Sequence, residues 1–383
     1  MNPRFSVLLP TRNGGPFIAN CIHSALSQDH DSFELVVSDN ANTDATPDIL
    51  AKIDDPRLTV VRQESVLPVH ENWNASLAHA RGDYFVMLGD DDYLLPGALR
   101  KLDAALRAHG EPDCVLFNAY SYVAPNAIDA AAASYWAPHH HRYDASFKAG
   151  ILEREFCTGI VKDMFRFRPR IPLNMQTTVF SRKSIERMPP PVFRAPFPDH
   201  YLLNALLLTA GRWLYLPERF IIVGVSPKSF GHFFYGQQSA SGLKYLGIET
   251  GAEGLLPGND LLNGMYRWLR LLLSNFPKEL AGVRIHRSAY LVRQLRFWAV
   301  QARLGAISPR EFLRRLALLS FFDWLRMTRS VLDAEVWRRL ARLMTPKSKA
   351  AANVLWPGLQ RIDGVQDIRE FSDWIDATDG RGN

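Results

Sequence analysis

Tyr84-Phe85-Val86-Met87-Leu88-Gly89-Asp90-Asp91-Asp92 places three acidic residues directly after an apolar run, with one glycine between. Residues 84–88 have the length and composition of a buried strand, and Gly89 ends it. Three carboxylates at a strand end repel one another and are costly unless a cation or hydrogen-bond donors compensate. Mg²⁺ or Mn²⁺ takes carboxylate oxygens and keeps positions open for phosphate. Asp90 and Asp92 can serve one site with Asp91 turned aside. The plainer alternative is a solvated acidic turn leading into the helix after Pro96.

Outward from this stretch, strand and helix patterns alternate. Phe5–Leu9 is an apolar run ended by Pro10, and Phe17, Cys21, Ile22, Ala25 and Leu26 recur at helical spacing. Leu35–Val37, Leu58–Val61 and Cys114–Asn118 read as further strands. Thr46-Pro47 opens a helix to Ile53, and residues 72–80 and 97–108 read as helices. The alternation predicts an α/β fold with a mainly parallel central sheet, whose ligands bind at the carboxyl ends of the strands.

Residues 124–150 break the pattern with an alanine run and His139-His140-His141, expected to be a solvated loop. Residues 151–235 carry short apolar runs and many prolines. From about residue 258 the pattern is helical and rich in Leu, Arg and Trp, with a capping box at Ser308-Pro309-Arg310-Glu311. The expected organisation is a catalytic domain over 1–240 (halves 1–120 and 150–240) and a helical C-terminal region over 258–375. In the latter, Trp268, Trp298, Trp324 and Trp337 lie among arginines, with Arg314-Arg315 and Arg338-Arg339 as doublets. They fit either an interfacial lipid anchor or a helical subdomain with its tryptophans inside.

Two more segments end strands with polar groups. Asp39, in Val36-Val37-Ser38-Asp39-Asn40, is placed to accept an N–H from a nucleobase or to hold a turn. Pro10-Thr11-Arg12-Asn13-Gly14-Gly15 permits close backbone approach but contains neither G-x-G-x-x-G nor G-K-[ST]. Dinucleotide-fold and P-loop readings therefore lose support.

Together these residues resemble glycosyltransferase family 2, whose fold is the GT-A type. The text that carries the resemblance is residues 6–13, 21–28, 39–46, 72–75, 80–84 and 89–92. It covers residues 4–125 closely and 170–235 loosely. The resemblance implies an inverting transferase that moves a sugar from a nucleoside-diphosphate donor, a UDP-sugar foremost, to a hydroxyl of a saccharide or lipid-linked acceptor. The setting it implies is bacterial surface polysaccharide or glycolipid synthesis. Pro10, Thr11, Asn13 and Asp91 would lie on the donor side, Asp39 on the base, Arg81 and Gly82 beside the nucleotide, and Asp90 near the ribose and cation. Asp92 and Asp90 would hold Mn²⁺ or Mg²⁺, with His232 as a further metal candidate; Asp44 would secure the loop.

Inversion needs a base opposite the leaving group, within reach of the acceptor hydroxyl. Asp199, in Phe197-Pro198-Asp199-His200-Tyr201, is the candidate; it also sits where a helix N-cap would. Asn174, Gln176 and Thr177 are candidates for the acceptor.

The chain has 383 residues, 47% hydrophobic and 22% charged, a globular composition. A net charge of +6 favours anionic partners without selecting one, and no nucleic-acid recognition motif is present. Cys21, Cys114 and Cys157 form no C-x-x-C, so neither a disulfide framework nor a zinc site is expected. With neither a signal-peptide pattern nor an 18-residue apolar run, the expected location is cytoplasmic, with peripheral membrane contact allowed. A sugar nucleotidyltransferase would need a basic glycine-rich loop near the N-terminus, where only Arg12 stands. The remaining alternative is a non-catalytic nucleotide-sugar-binding or scaffolding protein of the same fold.

Overall fold

The computed structural model describes residues 2–127, 133–229, 239–249, 254–303, 305–328 and 358–379. Its centre is one sheet. Strands β1 (Phe5–Thr11), β2 (Phe33–Asp39), β3 (Leu58–Arg62) and β4 (Tyr84–Met87) lie in the order β4-β1-β2-β3, all parallel. Helices α1 (Ile18–Leu26), α2 (Thr46–Leu50) and α3 (Val69–His79) make the crossovers.

Beyond β4 the sheet becomes mixed, which corrects the expectation of a mainly parallel one. β9 (Thr178–Ser181) inserts antiparallel between β4 and β6 (Cys114–Val123). β6 then pairs in parallel with β10 (Trp213–Val225). The short β5 (Tyr93–Leu94) and β8 (Gly150–Leu152) run antiparallel to β10. β7 (Ser134–Ala137) lies antiparallel between β6 and β11 (Gln360–Ile362).

Alternation along the strands builds two apolar layers. Phe5, Val7 and Leu9 of β1, with Tyr84, Val86 and Leu88, face α1 and α4 (Ala98–Ala108), which contribute Ile18, Ile22, Leu99, Leu102 and Leu106. Leu8, Phe85 and Met87 face the opposite layer. There α5 (Arg154–Phe165), α6 (Arg182–Glu186), α7 (Pro198–Thr209) and the helices Asp260–Asn275 and Arg287–Arg303 bury Ile160, Ile185, Leu202, Leu206, Trp268, Leu272 and Trp298. Two of the C-terminal tryptophans therefore pack inside, as a helical subdomain requires, whereas Trp324 is exposed. Trp337, Arg338 and Arg339 lie outside the described residues. The Ser308 cap forms as expected, its hydroxyl accepting the Glu311 N–H at 3.1 Å.

The C-terminal region also returns to the sheet: β11 joins it, Phe371 of the helix Ile368–Asp379 stacks on Tyr122 of β6, and Trp374 meets Trp136 of β7 edge-on. That return spans more than two hundred residues, so local periodicity carries no trace of it. The three cysteines are buried free thiols. Among the described residues no helix is long and apolar enough to cross a membrane.

Candidate active site

At the carboxyl edge of the parallel strands a cavity of about 610 Å³ opens. Asp90, Asp91 and Asp92 line it, together with Asp199 and His200 from the start of α7. The chain folds this way locally because β4 ends at the edge and Gly89 lets the next turn fold back. The Gly89 N–H donates to Asp92 Oδ2 at 2.6 Å.

The three carboxylates differ in their ties. Asp92 is 1% exposed, and both its oxygens accept backbone amides, the second from Gly224 at 2.9 Å. It pins the acidic loop to β10, and these two bonds use about half of the carboxylate's acceptor positions. Asp90 and Asp91 are half-buried on the cavity wall. Asp90 accepts the Thr11 hydroxyl at 2.7 Å, and Asp91 accepts the Ser226 N–H at 3.1 Å. Burial, with the neighbouring Asp91 charge second, pushes the Asp90 carboxyl up to about 7. Asp91 is also raised by burial, and Asp92 well above the carboxylate range by burial and then by Asp91. The protein's own groups thus leave this cluster short of positive charge.

Among the described residues, no three His, Cys, Asp or Glu side chains are grouped to chelate an ion unaided. Mg²⁺-type sites commonly use one or two carboxylates, with phosphate oxygens and water completing the shell. Asp90 and Asp91 fit that donor set. His232 lies outside the described residues.

The donor-side candidates separate into two groups. Pro10 lines the cavity, and Thr11 holds Asp90. Asn13 braces the loop instead: its side-chain oxygen accepts the Thr43 N–H at 2.9 Å, and its carbonyl accepts Lys228 Nζ at 2.5 Å. Asp44 accepts the N–H groups of Gly15 at 2.8 Å and Thr46 at 3.0 Å. Asp39 reaches the same sheet edge but is buried in an ion pair with Arg62 at 2.5 Å, and the adjacent Asn40 lines the cavity in its place.

Arg81 and Gly82 lie at the other end of the sheet, which corrects the expectation that they flank a nucleotide. They precede β4, whereas the cavity follows it. Arg81 pairs with Glu34 at 2.9 Å, and the Gly82 N–H donates to Ser6 Oγ at 2.7 Å. Ser6 and Glu34 are register partners near the amino ends of β1 and β2. A Cβ at residue 82 would overlap Ser6, which explains the glycine.

On the other side of the cavity, α7 begins at Pro198 with Phe197 as its N-cap, so Asp199 is in the first turn and does not cap the helix. Its carboxylate accepts the His200 N–H at 2.8 Å, and the His200 ring nitrogen stands 3.9 Å away. The side chain keeps 23% of its surface, and burial raises its pKa. A raised carboxyl suits a proton acceptor working near neutrality. Phe197 in turn packs against Gly264 of the helix Asp260–Asn275, where a Cβ would overlap its ring.

Other wall residues come from the histidine run, the acceptor candidates and distant segments. His140 and His141 line the cavity rather than a solvated loop. His140 bridges Ser121 Oγ at 3.0 Å and Asn174 Nδ2 at 3.3 Å, and burial pushes its pKa down to about 4. Asn174 and Gln176 line the cavity, whereas Thr177 is buried beneath it. Arg12 stacks over the Tyr245 ring at 4.4 Å, and Tyr245 Oη donates to the Arg12 carbonyl at 2.6 Å. Lys228 is 3.6 Å from Asp44. Arg12 stands inside the Pro10–Gly15 stretch, so its position was available; Lys228 and Tyr245 reach the site only through the fold.

A family model described as Glycosyl transferase family 2 matches residues 6–160. An uncharacterized protein of Mycobacterium tuberculosis is 38% identical over 100 residues, 26% of this chain and 31% of that one. The GalNAc(5)-diNAcBac-PP-undecaprenol beta-1,3-glucosyltransferase of Campylobacter jejuni is 34% identical over 103 residues, 26% of this chain and 33% of that one. The chain thus spans about a third of the length of both relatives. S. aureus TarS 1–349 in complex with UDP aligns over 95% of this chain and 98% of its own, at 17% identity and a TM-score of 0.46.

Proposed function

We infer, from the match of residues 6–160 to the glycosyl transferase family 2 model and from the cavity at the carboxyl ends of the parallel strands, that this chain is an inverting glycosyltransferase. Its donor is a nucleoside-diphosphate sugar, and its acceptor is a hydroxyl of a saccharide or lipid-linked saccharide. The observation that carries this reading is one cavity lined by both the Asp90–Asp92 cluster and Asp199.

The donor lies along the strand ends. Pro10, Arg12 and Asn40 form its wall, and the diphosphate points to Asp90 and Asp91. Asp90 and Asp91 would hold a divalent cation there, which would supply charge neutralisation for the departing diphosphate. Asp92 keeps the loop in place from below. Asp199 accepts the proton of the acceptor hydroxyl while that oxygen bonds to the anomeric carbon and the bond to the diphosphate breaks. Attack opposite the leaving group inverts the anomeric centre. Asn174 and Gln176 offer hydrogen bonds to the acceptor side, with His140 holding Asn174 in place.

The test is release of nucleoside diphosphate from a panel of UDP-, GDP- and dTDP-sugars, with Mn²⁺, with Mg²⁺ and with chelator. Cation-dependent release from at least one donor is expected. Donor binding by thermal shift without release under any condition would favour a binding protein instead. Neither binding nor release would remove the reading.

A further inference from the structure

We propose that the helix Phe321–Thr328 seats the chain on an anionic lipid surface. Four large apolar side chains stand in solvent on this one short helix: Phe321 at 76% exposure, Phe322 at 65%, Leu325 at 55% and Trp324 at 44%. At 100° per residue they occupy one continuous arc of roughly 160°. Leu313 and Leu318, also exposed, extend the apolar surface toward the preceding helix Pro309–Leu316. Contiguous apolar patches of this kind mark interaction sites.

The orientation is built in. Asp323 and Met327 are the buried positions of the helix. The Asp323 carboxylate accepts Arg287 Nε at 3.0 Å and the Ser320 hydroxyl at 2.9 Å, and Ser320 Oγ accepts the Asp323 N–H in return at 3.1 Å. This reciprocal cap and buried ion pair hold the polar side inward, so the apolar arc cannot rotate to the core without breaking them.

Charge selects the occupant. Between Ser308 and Thr328 there are four arginines, Arg310, Arg314, Arg315 and Arg326, against two acids, Glu311 and Asp323. Asp323 is buried in its ion pairs, while Arg310, Arg314 and Arg326 are exposed. Aromatic and leucine side chains flanked by arginine match the depth profile of an anionic bilayer, apolar below and phosphate above. A second copy meeting this face about a two-fold axis would set the same arginines against each other.

The experiment is sedimentation of the full chain with phosphatidylcholine vesicles, with and without phosphatidylglycerol. Binding is expected to the anionic vesicles and to weaken with salt. Phe321→Ser with Phe322→Ser should lower the vesicle affinity about tenfold or more, and Leu325→Ser should lower it in the same direction. Arg310→Gln with Arg314→Gln should weaken binding to anionic vesicles alone. Circular dichroism melts of each variant should match the parent, because the altered side chains lie in solvent. Absence of binding to anionic vesicles, binding untouched by the phenylalanine changes, or a dimer in light scattering that those changes dissolve would each overturn the proposal.

Discussion

Asp92 Oδ1 accepts the backbone N–H of Gly224 at 2.9 Å, a bond that fastens the acidic loop after β4 to the end of β10 across 132 positions of sequence. The approach is so close that a Cβ on residue 224 would overlap the Asp91 carbonyl. Gly224→Ala should therefore cost about 3 kcal/mol of stability, as overpacking against backbone does. Urea denaturation measures it; an unchanged midpoint would show that the loop yields freely. Donor affinity should fall with stability, since the same loop carries Asp90 and Asp91.

The division of labour among the three carboxylates gives opposite signs for their amides. Asp90→Asn and Asp91→Asn remove carboxylates whose charged form is disfavoured by burial and, at Asp90, also by the Asp91 charge. In metal-free buffer both variants should melt higher than the parent, while cation-dependent release of nucleoside diphosphate falls about 100-fold or more. Asp92→Asn should melt lower, because an amide has only one oxygen for the two N–H donors. Melting curves and donor turnover on the same preparations separate the cases.

Asp199→Asn should reduce transfer to acceptor by about 10²–10⁴-fold with donor Kd near the parent value. Gly264→Ala is the second arm, since its methyl group would press on Phe197 at the start of α7 and displace Asp199 without touching the donor wall. Steady-state kinetics should show kcat lost with donor affinity retained in both. If either variant transfers at the parental rate, the proton goes elsewhere.

His140 gives a pH dependence of known sign. Burial lowers its folded pKa to about 4 from an ordinary 6.5, so between those values the unfolded chain binds the extra proton. Its contribution to stability is fully present above pH 6.5 and is lost as pH falls toward 4. Gln at this position keeps hydrogen-bonding capacity toward Ser121 and Asn174 but does not titrate. His140→Gln should therefore gain stability relative to the parent on acidification through that window, read as the difference of two denaturation series. A constant difference would mean that His140 does not stay neutral in the fold.

The N-terminal architecture was legible because its rules are local. Phe5–Leu9, Leu35–Val37 and Leu58–Val61 are apolar runs separated by helical periods, and each became a strand of the parallel set. The ends of those strands predicted where Thr11, Asp39 and Asp90–Asp92 would gather, and the sheet does bring them to one edge. Arg81 and Gly82 were set beside the nucleotide by the family resemblance, whereas the chain crosses the sheet between them and the acidic run. A strand rises about 3.3 Å per residue, so crossing β4 carries the chain from one edge of the sheet to the other.

What the sequence determined alone was the order of strands and helices in the first half and which polar residues stand at the strand ends. These follow from side-chain periodicity and from which residue types tolerate a turn. What only the tertiary structure decided was which groups complete the cavity and which hydrogen bonds hold each carboxylate. Gly224 behind Asp92, Gly264 beneath Phe197, His140 between Ser121 and Asn174, and Tyr245 against Arg12 are contacts between distant segments. They arise from packing geometry after the sheet and its helices have closed, and a hydrogen bond across 132 residues has no local pattern to announce it.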